Sequence, residues 1–134
     1  MLGSVGGVVL LVAAGVVLLV NVLGATSDQA KDVADDFTRL MVSGETDNAY
    51  DNYLDSSFQQ EVSKEDFIAG HQELELDASC EPSYDFVDSY KVDGTKYAEV
   101  WGVLACDAQD LEFEYFLEGK DQLKLTSVWI EPVE

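Results

Sequence analysis

Charge is missing from the first fifth of this chain, because no Asp, Glu, Lys, Arg or His occurs between Met1 and Ser27. Basic residues are scarce throughout: 7 Lys and Arg stand against 27 Asp and Glu, which gives a formal net charge of −20. The chain also has only two cysteines, two prolines and one histidine. So few sulfur and imidazole ligands argue against a metal centre. The excess of carboxylates argues against nucleic acid or anionic lipid headgroups as partners.

The uncharged segment contains an apolar run, Val5–Leu23, that is interrupted only by Asn21. At about 1.5 Å per residue this run spans roughly 29 Å as a helix, close to the ~30 Å hydrocarbon core of a bilayer. We therefore predict that residues 1–27 are a single-pass transmembrane anchor, inserted through residues 5–23, and that residues 28–134 form one acidic domain. A secretory signal peptide is the alternative, but no basic residue precedes Val5.

Small residues give the predicted anchor a face that a second helix can approach closely. Gly3 and Gly7 have the spacing of a small-xxx-small motif, and Gly15 follows two turns later. These three are the candidate helix-packing residues. In a segment rich in Val, Leu, Gly and Ala the same spacing also arises by chance.

The two cysteines, Cys80 and Cys106, flank a predicted β-hairpin. Segments 83–92 and 96–105 are rich in aromatic and β-branched residues, and Asp93–Gly94 between them is a strong signal for a two-residue turn. That turn brings the cysteines within one residue of direct opposition. We predict a disulfide, worth roughly 3–4 kcal/mol by chain entropy, and hence an extracytoplasmic domain. Two buried free thiols are the alternative.

Three helices are predicted between the anchor and the strands, from the three-to-four spacing of apolar residues. The first ends at Gly44 and either starts after the anchor or continues it. The second includes Ala49 and Tyr50, and the third carries Phe67. The candidate N-caps, in chain order, are Thr26 or Ser27, then Thr46 or Asp47, then Ser63 with Asp66 completing a capping-box pattern.

Everything after residue 83 is predicted to be strand, at 83–92, 96–105, 111–117 and 123–130. One face of the resulting sheet is almost purely apolar and consists of Val87, Ala98, Val100, Gly102, Leu104, Leu111, Phe113, Tyr115, Leu117, Leu123, Leu125 and Trp129. Packed against the helices, this face predicts an α+β domain in which three helices cover a curved four-stranded antiparallel sheet.

The opposite face of the predicted sheet is mixed. It combines charged and apolar residues, namely Asp88, Glu99, Glu112, Glu114, Lys124, Phe86, Trp101, Val103, Phe116, Val128 and Ile130. Phe86 and Trp101 are direct partners in the inferred register, with Phe116 one strand beyond. These three aromatics are the candidate interface with a protein partner. Shielding by loops or by a terminal segment is the alternative.

Four short motifs occur in the domain: VSGETDNAY at 42–50, SFQQ at 57–60, SKEDF at 63–67 and LTSVWI at 125–130. Together, over Ala30 to Ile130, they resemble the NTF2-like (cystatin-like) superfamily, in particular its small membrane-anchored bacterial members of unknown function. The resemblance implies a cone-shaped cavity between helices and sheet. In some members that cavity holds isomerase or dehydratase chemistry, with a carboxylate or His base beside an acidic hydrogen-bond donor.

Such a cavity would be lined in this chain by Tyr53, His71, Tyr115 and Trp129. The core-facing strand residues include no Asp or Glu to work with His71, and no Ser/His/Asp set or phosphate loop occurs. We therefore predict no catalytic residues, no cofactor and no metal. The leading hypothesis is a membrane-tethered, non-enzymatic binding or accessory module. The alternatives are a cavity that binds a small molecule or acts as an isomerase-type enzyme, and a pilin-like filament subunit.

Overall fold

The computed structural model describes residues 20–133, with side chains from Thr26 onward. The predicted anchor, with Gly3, Gly7 and Gly15, therefore lies almost wholly outside the described residues. Within residues 20–133, none of the helices combines the length and the apolar composition that a membrane crossing requires.

In this part of the chain, four helices precede four strands. The helices are α1 (Val20–Val42), α2 (Thr46–Tyr53), α3 (Ser56–Glu61) and α4 (Lys64–Leu74). The strands are β1 (Glu81–Val92), β2 (Thr95–Ala105), β3 (Asp110–Gly119) and β4 (Lys124–Pro132). The strands form one open antiparallel sheet in the order β1-β2-β3-β4. The predicted α+β fold with a four-stranded antiparallel sheet is confirmed.

Helix α1 ends at Val42, and Gly44, the predicted C′ residue, follows it with φ +84°. The N–H of Gly44 donates to the carbonyl of Met41 at 3.3 Å, and the N–H of Glu45 donates to the carbonyl of Leu40 at 2.9 Å. This is a Schellman motif, whose C′ position favours glycine because other residues are strained at positive φ.

The predicted N-caps of the first two helices are wrong. Thr26 and Ser27 lie inside α1, which is already helical at Val20, so neither residue caps it. Helix α2 begins at Thr46, and its N-cap is Glu45, whose side chain makes no capping hydrogen bond. Neither Thr46 nor Asp47 is therefore the cap.

The start of α4 is as predicted, because the Ser63 hydroxyl accepts from the Asp66 N–H at 3.2 Å. Helix α3 is an addition that the sequence analysis did not predict. Its N-cap is Asp55, which accepts from the Ser57 N–H at 2.9 Å. None of the six residues of α3 is buried, so it has no apolar periodicity that a sequence pattern could detect.

The helices pack on the inner face of the sheet around a dense aromatic centre. Phe37 of α1 lies edge-on to Tyr115 of β3, with ring centroids 5.4 Å apart, and tilted against Phe67 of α4 at 6.3 Å. The Tyr115 hydroxyl donates to Thr38 Oγ1 at 2.7 Å, since the Thr38 hydroxyl itself donates to the Ala34 carbonyl at 2.8 Å. The buried tyrosine oxygen is thus satisfied inside the core.

A bulge at Asp85 shifts the pairing of β1 with β2 by one residue. Val92 faces Thr95 and Phe86 faces Trp101 as predicted, but beyond the bulge Tyr84 faces Gly102. The shift puts Cys80 directly opposite Cys106, with Cα atoms 4.0 Å apart, and the predicted disulfide is confirmed. It indicates an oxidising, extracytoplasmic environment.

A second bulge, at Thr126, reverses the facing of the rest of β4. Phe116 faces Ser127, whereas Leu117 faces Leu125, so Thr126 is the extra residue. Val128 and Ile130 consequently pack against the core, and Trp129 points outward with 44% of its surface exposed. The prediction that Trp129 faces the core, and that Val128 and Ile130 face away from it, is therefore wrong.

The connection between α2 and α3 covers part of the free edge of β4. Leu54 forms a parallel bridge with Leu125, and the Asp55 N–H donates to the Leu125 carbonyl at 2.8 Å. Leu54 itself is buried at this junction.

Candidate functional site: the outer face of the sheet

The four residues that were predicted to line a central cavity do not meet. Tyr115 is fully buried in the core, and Trp129 lies on the outer face. Tyr53 is half-buried and borders a surface groove with Lys124, while His71 lies where α4 meets the end of α1 and the start of α2. Phe37, Phe67 and Tyr115 fill the interior instead.

His71 connects α4 to the end of α1 and the start of α2. Its Nε2 lies 2.6 Å from the Met41 carbonyl oxygen, and its Nδ1 lies 3.3 Å from Thr46 Oγ1. A carbonyl oxygen only accepts, so Nε2 carries a proton and donates to it, while Nδ1 and the threonine hydroxyl share a second hydrogen bond. Both ring nitrogens are used to hold the helices together.

A shallow pocket of about 330 Å³ opens beside His71, between the helices and β4. This helix-side pocket is mostly apolar and is lined by Met41, Phe58, Val62, Asp66, Phe67, Gly70, His71, Glu73, Leu74, Val128 and Ile130. Val128 and Ile130, the two inward residues of β4, both line this pocket and pack against the core, so the pocket is continuous with the core surface.

The outer face of the sheet brings together two rows of aromatic and acidic residues. Pairing across the strands gives one row, Phe86–Trp101–Glu114–Trp129, and the next row, Asp88–Glu99–Phe116–Ser127. We call the aromatic and buried acidic members of these rows the outer patch: Phe86, Glu99, Trp101, Glu114, Phe116 and Trp129. Phe86 and Trp101 are in contact, with ring centroids 4.7 Å apart. Phe116 lies opposite Glu99, one row away from that pair.

Glu99 is buried on this face, with only 7% of its surface exposed. Burial raises the pKa of its carboxyl to about 7, and the negative charges of Glu114 and Asp88 act in the same direction. A hydrogen bond from Trp101 Nε1 to Glu99 Oε2, at 3.0 Å, opposes the rise in pKa. The same bond fixes the orientation of the indole.

Glu114 lies between the two tryptophans in the register, and it is 4% exposed. Burial raises the pKa of its carboxyl, and the nearby Glu112 adds to the effect. Its Oε2 is buried and has no hydrogen-bond partner among the described residues. An orphaned acceptor of this kind costs about 1–3 kcal/mol, so a donor that reached it would be bound favourably.

A small outer pocket of about 220 Å³ lies beside the two tryptophans. It is lined by Asp85, Trp101, Gly102, Val103, Glu112, Phe113 and Trp129. The pocket thus combines two indoles with two carboxylates. Cations are the ligands that such a lining attracts.

The sequence analysis placed Phe86, Trp101 and Phe116 on this face, but it missed Trp129 and the burial of the two glutamates. The missing signal was in β4, where the adjacent polar residues Thr126 and Ser127 interrupt the alternation of apolar residues. Because residues 128–130 are all apolar, the sequence does not show which of them face the core after that break. Only the observed bulge resolves it.

Comparison with known proteins adds nothing to this geometry. No known protein family, curated protein or solved structure matches the chain. The NTF2-like assignment therefore stays a prediction. Within residues 20–133, no three His, Cys, Asp or Glu side chains are grouped so as to hold a metal ion.

Proposed function

We propose that this chain is a membrane-anchored, non-enzymatic binding module of NTF2-like fold, which docks a protein partner outside the cytoplasm through its outer patch. The single observation that carries the proposal is the exposure of Trp129 in the same cross-strand row as Phe86 and Trp101, on a sheet face that no helix in residues 20–133 covers. Exposed clusters of aromatic residues mark interaction sites, and Trp is enriched among the residues that dominate binding energy.

The packing of the inner face supports a role other than catalysis. The region that is a cavity in enzymes of the NTF2-like superfamily is occupied here by Phe37, Phe67 and Tyr115. His71, the single histidine, uses both ring nitrogens to join helices. The inner face therefore serves stability, and recognition is left to the outer face.

Two observations support the location. The apolar run Val5–Leu23 has the length of a bilayer-spanning helix, and the Cys80–Cys106 disulfide is typical of domains outside the cytoplasm. Helix α1 is continuous from Val20 into the core. On this proposal the domain follows its anchor without a flexible linker.

The test is site-specific photo-crosslinking of the full-length protein in its native membrane. A photoreactive residue at Ser127, beside the outer patch, is expected to give one defined hetero-adduct. The same residue at Gln72, exposed on α4, is the matched control and is expected to give none. Adding Trp129→Glu should abolish the Ser127 adduct, because it places a charge at the centre of the interface while Trp129 is already exposed in the folded domain.

Membrane sidedness is tested in the same preparation. An impermeant protease should degrade the domain from the extracytoplasmic side only, and the two cysteines should resist thiol labelling until they are reduced. Equal adducts from Ser127 and Gln72, or an adduct that survives Trp129→Glu, would overturn the docking proposal. Free thiols in the native protein would overturn the assigned compartment.

A second candidate function is the binding of an apolar small molecule in the helix-side pocket, and it is favoured by the apolar lining around Phe58 and Phe67. Gly70 borders this pocket, and a Cβ there meets nothing within 4 Å. Gly70→Phe should therefore block binding of the neutral probe N-phenylnaphthylamine, whereas Gly70→Ala should not. Failure of the unmodified protein to enhance the fluorescence of the probe would rule this candidate out.

A further inference from the structure

Two turns of the sheet lie beside the start of the acidic domain on α1. The hydroxyl oxygens of Ser89 on β1 and Ser27 on α1 are 2.6 Å apart. The Asp121 carbonyl, in the β3–β4 turn, accepts from Gln29 Nε2 at 3.3 Å and from Lys96 Nζ at 3.1 Å. Lys96 Nζ also donates to Gln29 Oε1 at 3.1 Å. We call this end of the molecule the turn end, and it consists of residues 27–32, 90–97 and 118–124.

The turn end holds most of the positive charge of the chain. Five of the seven basic residues lie in it, and they balance its five acidic residues. These basic residues are Lys31, Lys91, Lys96, Lys120 and Lys124. The rest of the chain has 2 basic and 22 acidic residues, which account for the whole net charge of −20. The net charge of the domain disfavours contact with an anionic lipid surface, but the turn end does not share that charge.

Strand β1 runs alongside α1 in the opposite direction. The Tyr84 hydroxyl donates to Asp35 Oδ1 at 2.7 Å near one end of this contact, and Ser89 meets Ser27 near the other. Following β1 towards the β1–β2 turn therefore means moving back along α1 towards its N-terminus. The apolar run of the predicted anchor ends there, at Leu23.

The β1–β2 turn comes level with the end of that apolar run. From Ser89 to Val92 the strand continues for three residues, which is about 10 Å at 3.3 Å per residue. From Ser27 back to Leu23 the helix has four residues, which is about 6 Å at 1.5 Å per residue. The strand covers this height even when it crosses the helix obliquely. With residues 5–23 spanning the bilayer, the turn lies among the lipid headgroups.

We propose that the turn end rests on the headgroup surface of the bilayer that holds the anchor. The exposed ammonium groups of Lys91 and Lys120 donate to lipid phosphates, and Val92 inserts between the headgroups. This inference rests on the membrane anchoring in the proposed function and does not depend on the outer patch. The strands then stand on the membrane, and the Cys80–Cys106 disulfide marks the end that points away from it.

The side chains of the turn end suit a membrane–water interface. Val92 is 50% exposed, and next to it on the hairpin the rings of Tyr90 and Tyr97 stack with centroids 5.0 Å apart. Tyrosine is enriched at such interfaces, and a lysine stem lies along apolar groups while its ammonium reaches the phosphates. Each basic residue close to an anionic bilayer strengthens the attraction about fivefold. The same surface repels the acidic remainder of the domain, so the turn end is the part that approaches it.

The test is quenching of tryptophan fluorescence by brominated lipid. The full-length protein is reconstituted into vesicles of phosphatidylcholine and phosphatidylglycerol, with bromine on the acyl chains near the headgroups. Val92 and Val133 form a matched pair, because they are 50% and 48% exposed and lie at opposite ends of the sheet. Val92→Trp should add blue-shifted emission that brominated lipid quenches. Val133→Trp should add emission that it does not quench, and Trp101 and Trp129 give both variants the same background.

The contact with phosphates is tested by removing charge in the Val92→Trp protein. Lys91→Gln/Lys120→Gln should weaken the quenching and shift the added emission to the red. Arg39→Gln/Lys64→Gln is the matched control, because it removes the same charge from exposed positions outside the turn end, and it should change neither property. Equal quenching at positions 92 and 133, or quenching that the two lysine substitutions do not weaken, would overturn the inference.

Carbonate extraction of native membranes separates this inference from the proposed function. Release of the protein would overturn the anchoring and this inference together. Retention of the protein without quenching of Val92→Trp would overturn only this inference, and the Ser127 adduct at the outer patch would still be expected. Thermal unfolding confirms that each variant is folded, and Thr95→Trp, at the position opposite Val92, is the second probe of the turn should Val92→Trp fail to fold.

Discussion

Gly102 is the residue at which the packing of the sheet leaves least room. It lies on the inner face of β2, where a Cβ would collide with the Ser83 carbonyl oxygen and would lie 2.6 Å from Cζ of Phe113. The Phe113 ring in turn stacks on Tyr115 at 4.8 Å and lies edge-on to Tyr84 at 5.5 Å. A side chain at position 102 therefore displaces a network of three rings.

Gly102→Ala should destabilise the domain by about 3 kcal/mol, the upper range for overpacking in a rigid core. Gly70→Ala is the matched control, because a Cβ there has open space and alanine favours the helix; it should stabilise by about 0.5–1 kcal/mol. Urea unfolding at constant pH measures both. A Gly102→Ala protein as stable as the unmodified one would mean that the strands move apart easily at the Asp85 bulge.

Glu99 makes folding stability depend on pH. Its pKa is about 7 in the folded protein against 4.5 for an unperturbed glutamate, so the folded state holds a proton that the unfolded chain has lost. Stability from this group is therefore fully present below about pH 4.5 and falls as pH rises through 7. Glu99→Gln should be more stable than the unmodified protein at about pH 8, by about 2–3 kcal/mol, and nearly equal to it at acidic pH.

The measurement is a pair of urea unfolding curves for each protein, at acidic and at mildly alkaline pH. Glu118→Gln is the reference, because Glu118 is exposed and its replacement reports only the general loss of one negative charge. A difference between Glu99→Gln and the unmodified protein that does not change with pH would contradict the assignment.

At the level of single residues, the sequence predicts which strand residues face each other near a turn, but it does not predict how deeply they are buried. The pairing of Phe86 with Trp101 could be predicted, because a two-residue turn fixes the register of the residues close to it. The burial of Glu99 and Glu114 could not, because alternation along a strand marks both as solvent-facing. Their burial depends on the bulky neighbours in the same row, which only the complete sheet brings together.

At the level of elements, the predictions were correct where a glycine turn or a capping side chain marks the end of an element, and they were wrong where no such residue is present. Gly44 and Ser63 mark helix ends by backbone conformation and by side-chain capping, and both were found at the predicted places. Helix α3 was missed because it buries none of its residues. The facing of β4 was wrong beyond Thr126, because a bulge adds one residue and exchanges the two faces.

The disulfide is the element-scale feature with the largest expected effect on stability. It joins the start of β1 to the end of β2 across a separation of 26 residues, for which chain entropy gives roughly 3–4 kcal/mol. The double variant Cys80→Ser/Cys106→Ser should lose about this amount in urea unfolding. The unmodified protein should lose a similar amount under strong reductant, and a loss below about 1 kcal/mol would show that the hairpin is held by its strand pairing alone.

At the level of the whole molecule, mutual repulsion among carboxylates dominates the electrostatics. The formal charge is −20. The structure shows ion pairs between Arg39 and Asp35 and between Lys64 and Asp51, both at 2.8 Å and partly exposed, and surface pairs of this kind contribute little. Folding brings the carboxylates closer together than they are in the unfolded chain, so their mutual repulsion destabilises the folded state.

Raising KCl from about 0.1 M to about 1 M should therefore raise the melting temperature, on the order of 5 °C, because the Debye length falls from about 10 Å to about 3 Å. Differential scanning calorimetry at neutral pH measures the shift. KCl is preferable to sulfate, since sulfate also strengthens apolar burial. A melting temperature that is independent of KCl would show that the carboxylates already lie far enough apart in the folded domain.

The two bulges have a consequence beyond register, because they lie on the two outermost strands. An open sheet exposes unpaired N–H and C=O groups along both rims, which are templates for strand addition and fibril growth. In this chain one rim carries the Asp85 bulge and Pro82, and the other carries the Thr126 bulge, Pro132 and the Leu54 bridge. On both rims the row of unpaired backbone groups is therefore interrupted, which disfavours strand addition and polymerisation. A partner that reaches this domain must read its side chains, since neither border offers a continuous backbone ladder to extend.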